Sequence, residues 1–101
     1  MHLVQLLLPL YDNAGAALPR ELFETVRGEL VERFGGLTAY TRAPAKGLWQ
    51  DGTEVEKDDV VVYEVMADEL EPAWWSGYRA TLEQRFAQDE VVIRAIESRR
   101  L

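Results

Sequence analysis

The sequence predicts a small α+β domain made of two successive β-α-β units, and three observations carry that prediction. Leu30-Val31-Glu32-Arg33-Phe34 closes one amphipathic segment, and Leu82-Glu83-Gln84-Arg85-Phe86 closes another at an offset of 52. Each segment is preceded by a strongly apolar run and followed by a shorter β-like one. The apolar positions of the first segment, Leu22, Phe23, Val26, Leu30 and Phe34, match Trp74, Trp75, Tyr78, Leu82 and Phe86 at the same offset, so one helix face occurs twice.

Leu3 to Leu10 is short and rich in branched apolar residues, which predicts a central strand, β1, buried on both faces. Tyr11 to Leu18, with Asp12, Asn13 and Gly15, has the chemistry of a loop. Pro19 is expected as the first residue of a helix, α1, with Glu21 and Glu24 complementing the helix dipole and Gly35-Gly36 ending it. Leu37 to Arg42 follows as β2, interrupted at Pro44 because proline cannot donate to a sheet ladder, with resumption at Lys46. Asp51-Gly52 is the dipeptide of two-residue hairpin turns and predicts a hairpin arm over Lys46 to Lys57. Val60 to Met66 is a second central strand, β3. Asp68 to Pro72 marks the start of a second helix, α2, that runs to about Phe86, and Val91 to Ile96 supplies β4.

In this order the elements predict a ferredoxin-like βαββαβ sandwich, a single domain over residues 1–101. A right-handed crossover is expected to set β3 beside β1 in parallel, with both helices on one face of an antiparallel sheet of strand order 4-1-3-2. Alternation then divides each strand between two faces. Val4, Leu6 and Leu8 of β1, Val61, Tyr63 and Val65 of β3, Val91, Ile93 and Ala95 of β4, and Leu37, Ala39 and Thr41 of β2 are assigned to the helix side. The opposite face receives Gln5, Glu64, Arg94, Tyr40 and Arg42 among Leu3, Leu7, Val62, Met66, Val92 and Ile96. A solvated sheet face normally turns polar, so six large apolar side chains predict that something covers it. The expected cover is a second copy, giving a homodimer packed face to face with the hairpin arm reaching across.

Composition narrows the function classes. With 48% hydrophobic and 29% charged residues in 101, the chain has an ordinary globular balance. A net charge of -7 repels phosphate backbones and anionic lipid, so neither nucleic acid nor a membrane is an expected partner. The chain has no cysteine, hence no disulfide, thiolate nucleophile or sulfur metal ligand. The run Leu3 to Leu10 lacks a basic flank and a small-residue cleavage site and contains Gln5 and Pro9, so no secretory leader is read there and a cytoplasmic location is expected. The glycines cradle no phosphate, the acidic pairs lack calcium-loop spacing, and the single histidine, His2, has no triad to join. No cofactor and no metal are expected, and no catalytic residue is assigned.

Gln5, Glu64 and Arg94 fall on neighbouring strands and are expected to converge at the middle of the open face. They form either a polar cluster that orients a ligand, with Glu64 as the proton acceptor, or a salt bridge that fixes dimer register; the second is favoured. Tyr40 and Arg42, on the edge strand, suit either a carboxylate ligand or interface contacts. Trp49, near the hairpin turn, is read as an interface anchor. Trp74, Trp75 and Tyr78 coincide with the core stripe of the second helix and are read as packing, not as an aromatic box.

The run Arg33-Phe34-Gly35-Gly36-Leu37-Thr38, followed by Gly47-Leu48-Trp49 and Asp51-Gly52 before a valine-rich strand, resembles small bacterial proteins of a domain-of-unknown-function family. That resemblance covers nearly the whole chain and implies the fold without an activity. The architecture is also similar to the dimeric α+β barrel superfamily, whose members include cofactor-independent monooxygenases and isomerases. Two functions are therefore carried forward. One is a homodimeric, non-enzymatic module that binds a small ligand or a protein partner. The other is a cofactor-free enzyme acting on a small aromatic or lactone-like acid, with Glu64 as base and Arg42 or Arg94 holding the anion.

Overall fold

The structure, a computed structural model, describes residues 1–51 and 54–101, and side chains outside the segment 42–58. Its elements are β1 (His2–Pro9), α1 (Arg20–Phe34), β2 (Thr38–Asp51), β3 (Glu54–Ala67), α2 (Pro72–Arg85) and β4 (Val92–Glu97). The sheet order is β2-β3-β1-β4, the expected order read from the opposite edge. Every neighbouring pair is antiparallel, including β1 with β3, which corrects the parallel pairing expected from the crossover. The α1 crossover joins β1 to β2, which are not neighbours. Strand β3 returns from β2 as a hairpin and lies between them, so it runs against both.

Local chemistry sets the boundaries. Pro19 stands just before the helix, at φ -59°, where its missing N–H leaves no intrahelical bond unmade. At the other end Gly35 adopts φ 84° and donates its N–H to the Val31 carbonyl at 2.8 Å, a left-handed cap that suits glycine. The β2–β3 ladder shifts register between Tyr40 and Ala45, the stretch that contains Pro44. Pairing then continues to Asp51 opposite Glu54. Asp51, expected in the turn, is thus the last paired residue of β2, and Gly52 of the expected turn lies outside the described residues.

The helix side of the two central strands is the core. Val4, Leu6, Leu8, Val61, Tyr63 and Val65 are all at most 3% exposed. They pack in one cluster with Val26 and Leu30 of α1 and with Trp75, Tyr78 and Leu82 of α2, so both helices cover the same face. Phe23 and Phe86 meet edge to face at 5.3 Å across the end of the helix layer. Three edge assignments are corrected. Ala39 lies opposite Tyr63, and Ala95 opposite Val4, so both are on the helix side, yet both are exposed, as is Thr41. Helix α1 packs on β3 and α2 on β4, and at the edges Ala39 and Thr41 of β2 and Ala95 of β4 stay exposed.

One polar cluster ties the helices together. Glu29 of α1 accepts hydrogen bonds from both terminal guanidinium nitrogens of Arg85 on α2, Nη1 and Nη2, the latter at 2.9 Å, and from the Tyr78 hydroxyl at 3.1 Å. The Arg85 hydrogen bonds hold the Glu29 carboxyl below its usual 4.5, against opposing desolvation. Burial, reinforced by Glu29, raises the Tyr78 phenol. Because the folded Glu29 value is depressed, its stabilisation is present above about pH 4.5 and is lost as pH falls through the folded value. Glu29→Gln is therefore expected to flatten the acid limb of stability against pH, as measured by thermal melts from neutral pH into acid. An unchanged acid limb would assign that limb to other carboxylates.

Candidate functional site

The opposite face of the sheet is uncovered, and its register determines what stands beside what. Directly opposed residues in antiparallel strands share a face. Thr38, Glu64, Gln5 and Arg94 therefore form one row across all four strands. Tyr40, Val62, Leu7 and Val92 form the next row, and Met66, Leu3 and Ile96 flank the polar row on its other side.

Within the polar row, Arg94 Nε donates to Gln5 Oε1 at 2.8 Å, and Gln5 Nε2 donates to Glu64 Oε2 at 2.7 Å. Tyr40 reaches diagonally from the next row and donates its hydroxyl to Glu64 Oε1 at 3.4 Å. The expected Arg94–Glu64 salt bridge is thus replaced by an amide-mediated chain. Strand β1 separates β3 from β4 by two strand spacings, roughly 10 Å, and Gln5 occupies the space between the two charges. Gln5 suits the position because an amide offers an acceptor to the guanidinium and a donor to the carboxylate. Both Glu64 oxygens accept a bond.

The surroundings are apolar. Met66 is 54%, Ile96 50% and Val92 44% exposed, and Leu3, Leu7 and Val62 are half-buried. Tyr40, 52% exposed, adds a ring to the margin. Of the residues singled out from sequence, Gln5, Tyr40, Glu64 and Arg94 are brought together. Arg42 and Trp49 lie in β2, with side chains outside the described ones.

Trp74, Trp75 and Tyr78 pack as an inter-helix joint. Phe34 at the end of α1 stacks on Trp75 at 5.2 Å, and Trp74 stacks on Tyr78 at 4.9 Å. Arg33 lies 4.0 Å from the centre of the Trp74 ring while pairing with Glu71 at 2.9 Å. Among the described residues no group of three or more His, Cys, Asp or Glu side chains could hold a metal ion. Among them, too, no helix is long and apolar enough to cross a membrane. On the helix side, a crevice of about 390 Å³ opens between α1, the β1–α1 connection and Thr41, Val61 and Tyr63 of the sheet. Sequence reasoning missed it; its one advance signal is that Arg20, Phe23 and Arg27 share a side of α1.

Four antiparallel strands with both helices on one face define a ferredoxin-like α+β protein. Among solved structures, the divalent cation tolerance protein CutA1 from Thermus thermophilus superposes with a TM-score of 0.62 at 14% identity, over 97% of this chain and 84% of that one. A mutant of CutA1 from Pyrococcus horikoshii gives 0.59 at 14%, over 100% and 86%. A phage SAM lyase in complex with S-methyl-5'-thioadenosine gives 0.59 at 15%, over 95% and 80%. At such identities the likeness shows the fold alone. No family model matches the chain, and no curated protein matches it.

Proposed function

We propose that this chain is a cytoplasmic, non-enzymatic binding module that acts as a homodimer, two copies closing their open sheet faces over one another to hold a small ligand or a protein partner. The observation that carries this reading is the open face itself, with six apolar side chains ringing a polar row whose members already satisfy one another. At roughly 25 cal/mol per Å² of apolar area, covering such a patch contributes on the order of several kcal/mol. Charge does not oppose the contact. Among the described residues the middle of the face carries one acid and one base, joined through Gln5, so the negative charges of two copies are not set against each other there.

The enzymatic alternative, Glu64 as base with Arg94 holding an anionic substrate, has less support. Both Glu64 oxygens are engaged by Gln5 and Tyr40, and Arg94 Nε is committed to Gln5. A side chain so engaged is better placed to fix register than to take a proton.

Met66 offers a direct test, because its thioether stands on the proposed interface. Oxidation by dilute peroxide, followed by peptide mass spectrometry, is expected to modify Met66 at least about tenfold more slowly at high protein concentration than at high dilution. Free methionine added to the solution serves as the reference. Equal rates at all concentrations would leave the face wet and contradict the proposal.

A further inference from the structure

The helix-side crevice lies on the opposite side of the sheet from the face just described and carries a different chemistry. One wall is the β1–α1 connection, which folds back on itself. Tyr11 bridges to Ala17, the Leu18 N–H donates to the Leu10 carbonyl at 2.9 Å, and the Leu10 N–H donates to the Asp59 carbonyl at 3.0 Å. The Asp12 carboxylate accepts the N–H groups of Ala14 and Ala16 at 2.9 and 2.8 Å, which spends its charge inside the loop. The second wall is the side of α1 that presents Arg20, Phe23 and Arg27, three and four residues apart. Tyr63 and Val61 of β3 form the floor.

Among the described residues the lining contains two arginines and no acidic side chain, in a chain of net charge -7. Arg20 is partly committed to Glu24 at 3.1 Å, in an exposed pair of the kind that is worth little. Among the described residues Arg27 has no carboxylate within salt-bridge reach. Its charge falls on the floor of the crevice: burial raises the Tyr63 phenol, and Arg27 acts in the opposite direction. A volume of about 390 Å³ lies in the size range of small-molecule sites, which combine an apolar body with a few convergent polar groups.

We infer that this crevice is a binding site for a small organic acid with an aromatic or branched apolar body. Arg27 takes the carboxylate through its planar fork, Arg20 adds a second positive charge at the mouth, and Phe23, Leu10 and Leu18 receive the body. All of these residues belong to one chain and lie on the helix side of the sheet, so the assignment stands whether or not the sheet faces pair.

Phenylacetate is a suitable probe, with phenylacetamide as its neutral isostere and inorganic phosphate as an anion without a body. Titrated into ¹⁵N-labelled protein, phenylacetate is expected to shift the amides of Leu18, Phe23, Arg27 and Tyr63 saturably. Phenylacetamide and phosphate should bind at least about tenfold more weakly. Arg27→Gln is expected to weaken phenylacetate at least about tenfold while leaving the rest of the spectrum in place, and Arg27→Lys should fall between. Three results would overturn the assignment: no shifts in the crevice, equal binding of the amide or of phosphate, or unchanged affinity in Arg27→Gln.

Discussion

Replacing Leu7 with lysine is expected to separate the two copies while leaving each one folded. Leu7 sits in the central strand β1, half-buried on the open face and flanked by Val62 and Val92 in its row. In a single chain a lysine there can extend its ammonium into water. In a face-to-face pair two such ammonium groups enter an apolar contact, and the nearest carboxylate, Glu64 in the next row, already accepts from Gln5 and Tyr40. An uncompensated buried charge costs about 3–5 kcal/mol, so the dissociation constant should rise by roughly a hundredfold or more. Size-exclusion chromatography over a dilution series, with circular dichroism as the check on folding, measures this. A Leu7→Lys protein that keeps the wild-type elution position at every concentration would place the contact elsewhere.

One residue away, Leu6→Ala is expected to act on folding alone. Leu6 is fully buried, opposite Tyr63 and Ile93 on the helix side, in the cluster that includes Leu30 and Leu82. Truncating a buried leucine removes its transfer energy and leaves a cavity, a loss of about 2–5 kcal/mol. Small domains have only about 5–15 kcal/mol in total, so this loss is a large part of the whole. Urea unfolding should show the same loss at low and high protein concentration, whereas the effect of Leu7→Lys should depend on concentration. A loss below about 1 kcal/mol for Leu6→Ala would mean that the two faces of β1 had been exchanged.

The contrast between adjacent residues reflects what was legible in the sequence. For β1 and β3 a period of two was enough: Val4, Leu6, Leu8, Val61, Tyr63 and Val65 are buried as their alternation predicts. The same reasoning placed Ala39 and Ala95 on the correct side but not in the core, because burial at an edge depends on how far the helix layer extends, which alternation does not encode. The parallel β1–β3 pairing was expected because the right-handed crossover was applied to β1 and β3; the crossover joins β1 to β2, and the β2–β3 hairpin then makes β3 run against β1. In the candidate site, shared register revealed that Gln5, Glu64 and Arg94 belong together. The predicted strand order already set Gln5 between the charges, but only the side-chain geometry showed that its amide joins them and that Tyr40 reaches the cluster from the next row. The crevice at Arg27 was not legible. It depends on the β1–α1 connection folding back against β1 and on how α1 is set over β3, and the placement of a helix over a sheet is a tertiary fact.

Sedimentation velocity of the wild-type chain at micromolar concentration tests the uncovered sheet face most directly. The expected result is one boundary at twice the 11.5 kDa chain mass, dissociating only on strong dilution. A single-chain species that persists across the micromolar range would show that the apolar face stays in water, and the proposed homodimer would be wrong.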